Sequence, residues 1–158
     1  MMTLYRESGH DLADSLYEGH RAIGAGLDYA TNWMQSSILM RDRSFRDTYD
    51  FADRSSEASR VRMKYPGRIP VVLERHHGSS EIPKDSKKKF LIPGTMSMSE
   101  FLFVIRRRIK LDETKAIFIY VDSQLVPMSQ PFEHVYAKHK DDDGFLYLQY
   151  SGENVFGG

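Results

Sequence analysis

The chain contains no cysteine, and this absence excludes several kinds of function. Without cysteine the chain can form no disulfide, no thiolate site for zinc and no cysteine nucleophile. Long apolar runs are also missing, because no stretch approaches the ~20 residues that a transmembrane helix needs. The first residues lack both the basic leader of a secretion signal and the acid-poor composition of a mitochondrial transit peptide. These features lead us to expect a cytoplasmic protein.

Net charge is absent as well, but the charges are unevenly spread. Residues 1–39 carry two Arg and five acidic residues, a net charge of −3, so the remainder of this neutral chain carries +3. A basic face attracts acidic peptides, phosphates or anionic lipid headgroups, whereas a solvated surface of mixed charge is the simpler alternative. The interleaving of aromatic and basic residues that is typical of RNA-binding surfaces is missing. We therefore expect no nucleic-acid partner.

Motifs for metal binding and catalysis are missing too. His76 and His77 are adjacent, so in extended structure their side chains point to opposite faces. His134 and His139 lie five residues apart, whereas a helical zinc pair lies four apart. The acidic turn at 141–144 lacks the later glutamate of a calcium loop. Because a nucleophile elbow and a phosphate loop are also absent, we expect no metal site, no cofactor and no enzymatic activity.

The N-terminal third of the chain has helical periodicity. Residues 1–39 predict one or two short helices that are stable only when packed on something, with an apolar stripe at Leu12, Leu16, Ile23, Leu27, Ala30 and Met34. Residues 40–64 continue as a more polar helical segment, with inward positions predicted at Phe45, Tyr49, Ala52, Ala58 and Val61. Tyr65, Pro66 and Gly67 end this segment, because proline disfavours helix before it and glycine permits a turn.

The rest of the chain alternates between strand and helix patterns. Four strands are predicted, at Ile69–Glu74, Lys87–Pro93, Ala116–Val121 and Phe145–Tyr150. A capping box at Ser97–Glu100 begins a helix whose core-facing stripe is Phe101, Val104, Ile105 and Ile109. A second, short helix is predicted at Ser129–His139. This order of elements indicates an α+β roll, in which one long helix lies across a mixed sheet.

Six blocks of sequence carry a resemblance to a known family: Lys64–Val71, Lys87–Pro93, Phe101–Ile109, Ala116–Ile119, Asp143–Tyr147 and Tyr150–Gly157. Together they resemble the autophagy ubiquitin-like modifiers, the family that includes GABARAP, over about residues 45–158. The resemblance implies a ubiquitin-like roll, a mixed four-stranded sheet with a central helix, preceded by N-terminal helices.

The same resemblance implies a division of the chain into functional units. These are a helical subdomain at 40–64, a ubiquitin-like core at 65–150 and a conjugation tail at 151–158. Residues 1–39 are additional to the family pattern and are predicted to form an amphipathic extension.

The resemblance also implies a chemical role for the tail. In the family, a glycine after an aromatic residue is activated with ATP, passed through activating and conjugating enzymes, and joined to phosphatidylethanolamine. A residue without a Cβ suits this chemistry because the chain can then enter a narrow enzyme channel. By resemblance Gly157, after Phe156, is the acceptor, and a processing cysteine protease first removes Gly158. Conjugation through Gly158, as in ubiquitin itself, is the alternative. The covalently attached lipid would place the protein on the autophagosomal membrane.

A second implied site is a groove that binds acidic peptides of the form aromatic-x-x-aliphatic by adding a strand to the edge of the second strand. The implied aromatic pocket is lined by Glu57, Val61, Pro70, Val72, Lys89, Leu91 and Phe145. The implied aliphatic pocket is lined by Phe90, Ile92, Pro93, Met96, Phe101, Val104, Ile105 and Arg108. Lys87, Lys89 and Arg108 would meet the acids of the partner.

Each of these assignments has a structural alternative. Phe101, Val104 and Ile105 could serve only to fill the core. Lys87 and Lys89 could serve only to protect an edge strand from aggregation.

Two alternative functions also stay open. The chain could be a non-conjugated peptide-binding adaptor, or a fusion of the modifier with a partner-derived helical segment at 1–39. No aromatic residue of that segment has an aliphatic residue three positions later, so we expect it to dock as a helix if it docks. We expect a monomer unless residues 1–39 dock on a second chain.

Overall fold

The structure is a computed structural model that describes residues 43–85 and 88–152. Within these residues the chain forms four helices, which are α1 (Phe45–Thr48), α2 (Phe51–Lys64), α3 (Met98–Arg108) and α4 (Phe132–His139). It also forms five strands, which are β1 (Arg68–Arg75), β2 (Lys89–Pro93), β3 (Phe118–Val121), β4 (Gln124–Leu125) and β5 (Leu146–Ser151). None of the helices in the described ranges has both the length and the apolar composition of a bilayer span.

The five strands form one mixed sheet in the order β2-β1-β5-β3-β4. Strand β1 is antiparallel to β2 and parallel to β5, while β3 is antiparallel to both β5 and β4. The sheet therefore has one strand more than the four predicted. The additional strand β4 has only two residues, both exposed, so it lacks the alternation that marks a strand in sequence. A turn at Asp122 and Ser123, both with positive φ, folds β4 back on β3.

Helix α3 packs on one face of the sheet, as predicted. Its capping box is present, because the Ser97 hydroxyl accepts from the Glu100 amide at 3.2 Å and the Glu100 carboxylate accepts from the Ser97 amide at 2.9 Å. Phe101 is fully buried, and its ring meets Phe90 and Phe132 edge to face at centroid distances of 5.7 and 5.0 Å. Phe101, Ile105 and Ile109 of the predicted stripe thus belong to the main core. Val104 is only partly buried and lies outside that cluster, so its predicted core-facing position is wrong.

Helices α1 and α2 pack on the opposite face. Phe45, Ala58, Val72 and Phe145 form a second, smaller cluster there, whereas Val71 belongs to the main core. Successive residues of β1 therefore contribute to opposite faces, as the two-residue period of a strand requires. This arrangement explains why β1 has a nearly continuous apolar sequence, since both of its faces are covered.

The helical segment before Tyr65 differs in detail from its prediction. The chain is extended at Tyr49, and the Asp50 carboxylate accepts from the Asp53 amide at 2.8 Å and so begins α2 as a separate helix. The predicted inward position of Ala52 is wrong, because Ala52 lies exposed in the first turn of α2. The predicted burial of Phe45, Ala58 and Val61 is confirmed.

Candidate functional site

The candidate site is the outer edge of β2, the first strand of the sheet. In the described part of the chain β2 pairs with β1 alone. The Leu73 amide donates to the Lys88 carbonyl at 2.7 Å, which makes these two residues a hydrogen-bonded pair. Because hydrogen-bonded and non-bonded pairs alternate along antiparallel strands, Lys89 and Leu91 direct their backbone groups away from β1. These groups form a template on which a further strand can be added.

Helix α2 lies on one side of this edge, and the predicted aromatic-pocket residues gather there. Val61 packs on Leu91 with the half-buried ring of Tyr65, and Val72 packs on Phe145 next to them. Apart from Tyr65, each of these side chains is at most 5% exposed, and the remaining apolar residue of the predicted pocket, Pro70, is buried as well. The predicted residues therefore lie on the α2 side of the sheet in two neighbouring clusters, and their side chains are buried rather than exposed as the walls of an open pocket.

An ion pair lies buried on the α2 side of the edge. The Lys89 ammonium lies 2.6 Å from the Glu57 carboxylate, with the two side chains 5% and 3% exposed. The same ammonium lies 5.8 Å from the centre of the Phe45 ring. Removing one member would leave the other charge buried and without its counter-charge, which costs several kcal/mol in proteins. Lys89 is thus engaged with Glu57, and the acidic partner predicted for it would have to compete with this carboxylate.

On the other side of the edge, toward α3, the predicted aliphatic-pocket residues form two groups. The larger group is buried in the main core and consists of Phe90, Ile92, Met96, Phe101 and Ile105. The smaller group reaches the surface and consists of Pro93, Val104 and Arg108. A partner can touch the second group directly but can reach the first only if core side chains move.

Arg108 is the cation at this end of the groove. Its guanidinium makes two hydrogen bonds to the Asp85 carboxylate, at 2.8 and 3.3 Å, and lies 5.4 Å from the centre of the Phe90 ring. Asp85 therefore occupies the position next to Arg108 that the resemblance predicts for an acidic residue of a bound peptide. The third predicted cation, Lys87, lies outside the described residues.

Sequence reasoning missed a buried polar cluster beneath the α2 side. Arg54 of α2 lies 2.6 Å from Asp143, whose side chain is fully buried, and the Tyr147 hydroxyl donates to the same carboxylate. Burial, together with that hydrogen bond, raises the pKa of Tyr147 well above its ordinary value. Asp143 also accepts from the Phe145 amide at 2.8 Å, so the cluster holds α2 to the turn that carries Phe145. The one sequence signal for this cluster was the acidic turn at 141–144, which we considered only as a candidate calcium loop.

Other predicted sites have a simpler outcome. The tail residues Phe156, Gly157 and Gly158 and the extension at 1–39 lie outside the described residues. Among residues 43–85 and 88–152, no group of three or more histidine or acidic side chains has an arrangement suited to holding a metal ion. His76 and His77 do lie together, with rings stacked 4.5 Å apart, and burial with the neighbouring ring lowers the pKa of His76.

Comparisons with known proteins agree with this architecture. The sequence model of the family described as "Autophagy protein Atg8 ubiquitin like" matches residues 53–157. Autophagy-related protein 8e of Arabidopsis thaliana is 50% identical over 113 residues, which cover 72% of this chain and 92% of that protein. Autophagy-related protein 8 of Colletotrichum lindemuthianum is 49% identical over 114 residues, which cover 72% of this chain and 93% of that protein.

A solved structure resembles the fold as well. The crystal structure of Trypanosoma brucei ATG8 superposes with a TM-score of 0.65 at 34% sequence identity, covering 70% of this chain and 94% of that one. Both the sequence match over two thirds of the chain and the shared fold lead to the same assignment. The chain belongs to the Atg8 family of ubiquitin-like autophagy proteins.

Proposed function

We propose that this protein is a ubiquitin-like modifier, and not an enzyme, that is joined through its C-terminal glycine to phosphatidylethanolamine and recruits receptors to autophagosomal membrane. The observation that carries the proposal is the outer edge of β2, which among the described residues pairs with β1 alone and lies between an apolar cluster under α2 and the main core under α3. The chain is a family member in which Phe156 is followed by Gly157. The unmodified protein would be cytoplasmic. Two acyl chains on the attached lipid are enough for stable membrane binding at ~0.8 kcal/mol per buried CH₂.

Conjugation is tested by reconstitution with the family's activating and conjugating enzymes, ATP and liposomes that contain phosphatidylethanolamine. A gel-shifted, membrane-bound product is the expected result for the chain that ends at Gly157, without any protease. Absence of that product from both this chain and the full chain, with a known family member conjugated in parallel, would overturn this part of the proposal.

The choice of acceptor glycine needs one further pair of variants. If Gly157 is the acceptor, the full chain requires the processing cysteine protease and Gly157→Ala blocks both cleavage and conjugation. If Gly158 is the acceptor, the full chain is conjugated without protease, whereas the chain that ends at Gly157 is not.

Receptor binding would proceed by strand addition to β2. The outward backbone groups of Lys89 and Leu91 would supply main-chain hydrogen bonds, which give affinity without sequence preference. Specificity would come from an aromatic side chain entering beside Val61 and an aliphatic one beside Val104. The buried ion pair would separate as the aromatic ring enters, and Lys89 would exchange Glu57 for an acid of the peptide.

Peptide binding is measured by calorimetry with an acidic synthetic peptide that carries Trp-x-x-Leu. Binding that is lost in Leu91→Pro, which removes one outward amide from the edge, supports strand addition. Binding that survives this change would contradict it. A chain that binds the peptide but is never conjugated would instead be the non-conjugated adaptor.

One observation favours a role of residues 1–39 at the same groove. The Lys88 ammonium donates to the Arg43 carbonyl at 2.7 Å, so the chain enters the described domain beside the start of β2. A tethered segment acts at high effective concentration, and its charge of −3 complements a basic groove. Deleting residues 1–39 tests this role. Tighter peptide binding after the deletion would show that the segment occupies the groove, and unchanged affinity would show that the groove is open.

A further inference from the structure

The chain leaves the sheet at Ser151 and Gly152, and the loop between β1 and β2 holds it there. The Ser79 and Ser151 hydroxyls lie 2.7 Å apart, with both residues no more than 1% exposed. The Gly152 amide donates to the Ser79 hydroxyl at 3.3 Å. Ser79 thus contacts the last residue of β5 and the first residue after it.

Two further residues of this loop, His76 and Pro83, contact Tyr150 of β5. The His76 amide donates to the Tyr150 carbonyl at 2.8 Å, and the Tyr150 hydroxyl donates to the Pro83 carbonyl at 3.1 Å. A Cβ added to Gly152 would lie 2.3 Å from the Glu81 carboxylate and 3.0 Å from the Ile82 side chain. The loop therefore fits closely around the point where the chain leaves the sheet.

A pair of buried hydroxyls needs an explanation beyond packing. A buried hydroxyl must find a hydrogen-bond partner, so two small apolar side chains would fill the space with less demand on geometry. A hydrogen bond between the two hydroxyls also fixes how the loop and the end of β5 are oriented relative to each other, because such a bond weakens steeply away from its preferred angle. The orientation of Ser151 and Gly152 in turn sets the direction in which the chain leaves the sheet.

That direction matters for the tail chemistry. Gly157 lies five positions after Gly152, and this length of chain spans at most about 18 Å, so the proposed acceptor glycine stays near this point of the domain. The proposed enzymes dock on the folded domain and take Gly157 into a narrow channel. The chain must therefore leave the domain in the direction of that channel. A misplaced approach lowers the fraction of complexes in which the scissile bond is correctly positioned.

We propose that Ser79 is a positioning residue for processing and conjugation of the tail. It touches none of the reacting atoms, and it acts by holding Ser151 and Gly152 so that the chain leaves the sheet toward the docked enzyme. The inference rests on the proposed function, because it supposes that the tail is cleaved and conjugated.

The test compares Ser79→Ala with Ser80→Ala, an exposed neighbour in the same loop. Each full-length variant is given to the family's processing cysteine protease, and kcat and KM are measured separately. Loss of one neutral hydrogen bond corresponds to about a fivefold effect. We expect kcat to fall about fivefold for Ser79→Ala with KM unchanged, and neither to change for Ser80→Ala. A purely structural role would lower the folded fraction and raise the apparent KM with kcat unchanged, which would overturn the proposal.

A spacer provides a second, independent readout. Inserting Gly-Ser-Gly-Ser between Gly152 and Glu153 separates the tail from the direction set by Ser79. In that background Ser79→Ala should have no further effect on kcat, whereas a persistent fivefold effect would contradict positioning. Affinity for the Trp-x-x-Leu peptide reports folding. If Ser79→Ala fails to bind this peptide, Ser151→Ala is judged by the same criteria.

The outcomes separate the inference from the function on which it rests. If the unmodified chain is neither cleaved nor conjugated, the proposed function fails. If it is cleaved and conjugated but Ser79→Ala and Ser80→Ala behave alike, only the positioning role fails.

Discussion

The two sides of strand β2 are built differently, although the family resemblance implies that both belong to one groove. The α2 side is a small cluster closed by the buried ion pair of Glu57 and Lys89, with Arg54, Asp143 and Tyr147 beneath it. The α3 side is continuous with the main core and reaches the surface only at its rim. An ion pair can exchange partners at modest structural cost, whereas a packed core resists rearrangement. If a peptide binds at this edge as proposed, we therefore expect the rearrangement that admits it to occur on the α2 side.

The largest expected effect tests whether the α3 side is core. Phe101→Ala should lower the free energy of unfolding by about 4 kcal/mol, because it removes a fully buried ring and leaves a cavity. Phe103→Ala on the exposed side of the same helix is the matched control and should change it by less than about 0.5 kcal/mol. Chemical denaturation measures both. A loss below about 1 kcal/mol for Phe101→Ala would mean that this side is a loosely filled pocket.

The second effect tests the ion pair of the α2 side. Lys89→Met should lower the free energy of unfolding by about 3 kcal/mol, because Glu57 is left buried without its counter-charge. Replacing both residues, Glu57→Leu with Lys89→Met, should recover most of that loss. Lys88→Met, which removes a more exposed pair with Glu74, should cost at most about 1 kcal/mol. Equal losses for Lys88 and Lys89 would remove the distinction between the two pairs.

The third effect is a pH dependence of the cluster beneath the α2 side. Burial and the hydrogen bond to Asp143 raise the folded-state pKa of Tyr147, so the unfolded chain loses this proton first as pH rises. The stability that Tyr147 contributes is fully present below pH about 10 and is lost above it. Between pH 9.5 and 11, wild type should therefore lose about 1 kcal/mol more than Tyr147→Phe.

Denaturation at both pH values measures this difference. Burial also raises the pKa of Tyr136 and Tyr150, so a part of the alkaline loss should remain in the variant. Identical pH profiles for wild type and Tyr147→Phe would contradict the assignment.

The smallest effect tests the rim of the α3 side. Asp85→Asn releases Arg108 from its carboxylate partner and should tighten binding of the acidic Trp-x-x-Leu peptide two- to threefold, or about 0.5 kcal/mol. The gain should shrink at high salt, because the Arg108 side chain is partly exposed and its interaction with an acidic peptide is screened. Asp122→Asn, in the turn at the opposite edge of the sheet, makes the same change in net charge and should have no effect. Equal gains for both variants would indicate a general effect of charge.

Much of the fold follows from local patterns. The capping box at Ser97 and Glu100, the apolar stripe of α3 and the apolar run before Asp122 each occupy a short stretch of chain, and each was predicted. The residues of the candidate groove came from resemblance, since no local pattern relates Glu57 to Lys89 across 32 residues. The two-residue strand β4 and the exposed position of Ala52 were missed because single turns and short strands have no reliable period.

Sequence by itself determined most of the helices and strands, because hydrophobic period, caps and turn residues act between near neighbours. The family followed from the resemblance of six sequence blocks and not from these local patterns. Tertiary structure alone decided which charges are engaged, with Lys89 on Glu57 and Arg108 on Asp85, and which predicted pocket residues are core. It also brought Ser79 onto Ser151, 72 residues away, at the start of the tail. Such contacts depend on how β1, β2 and β5 lie side by side, and a hydroxyl or carboxylate acquires its partner only when folding brings distant segments into hydrogen-bonding distance.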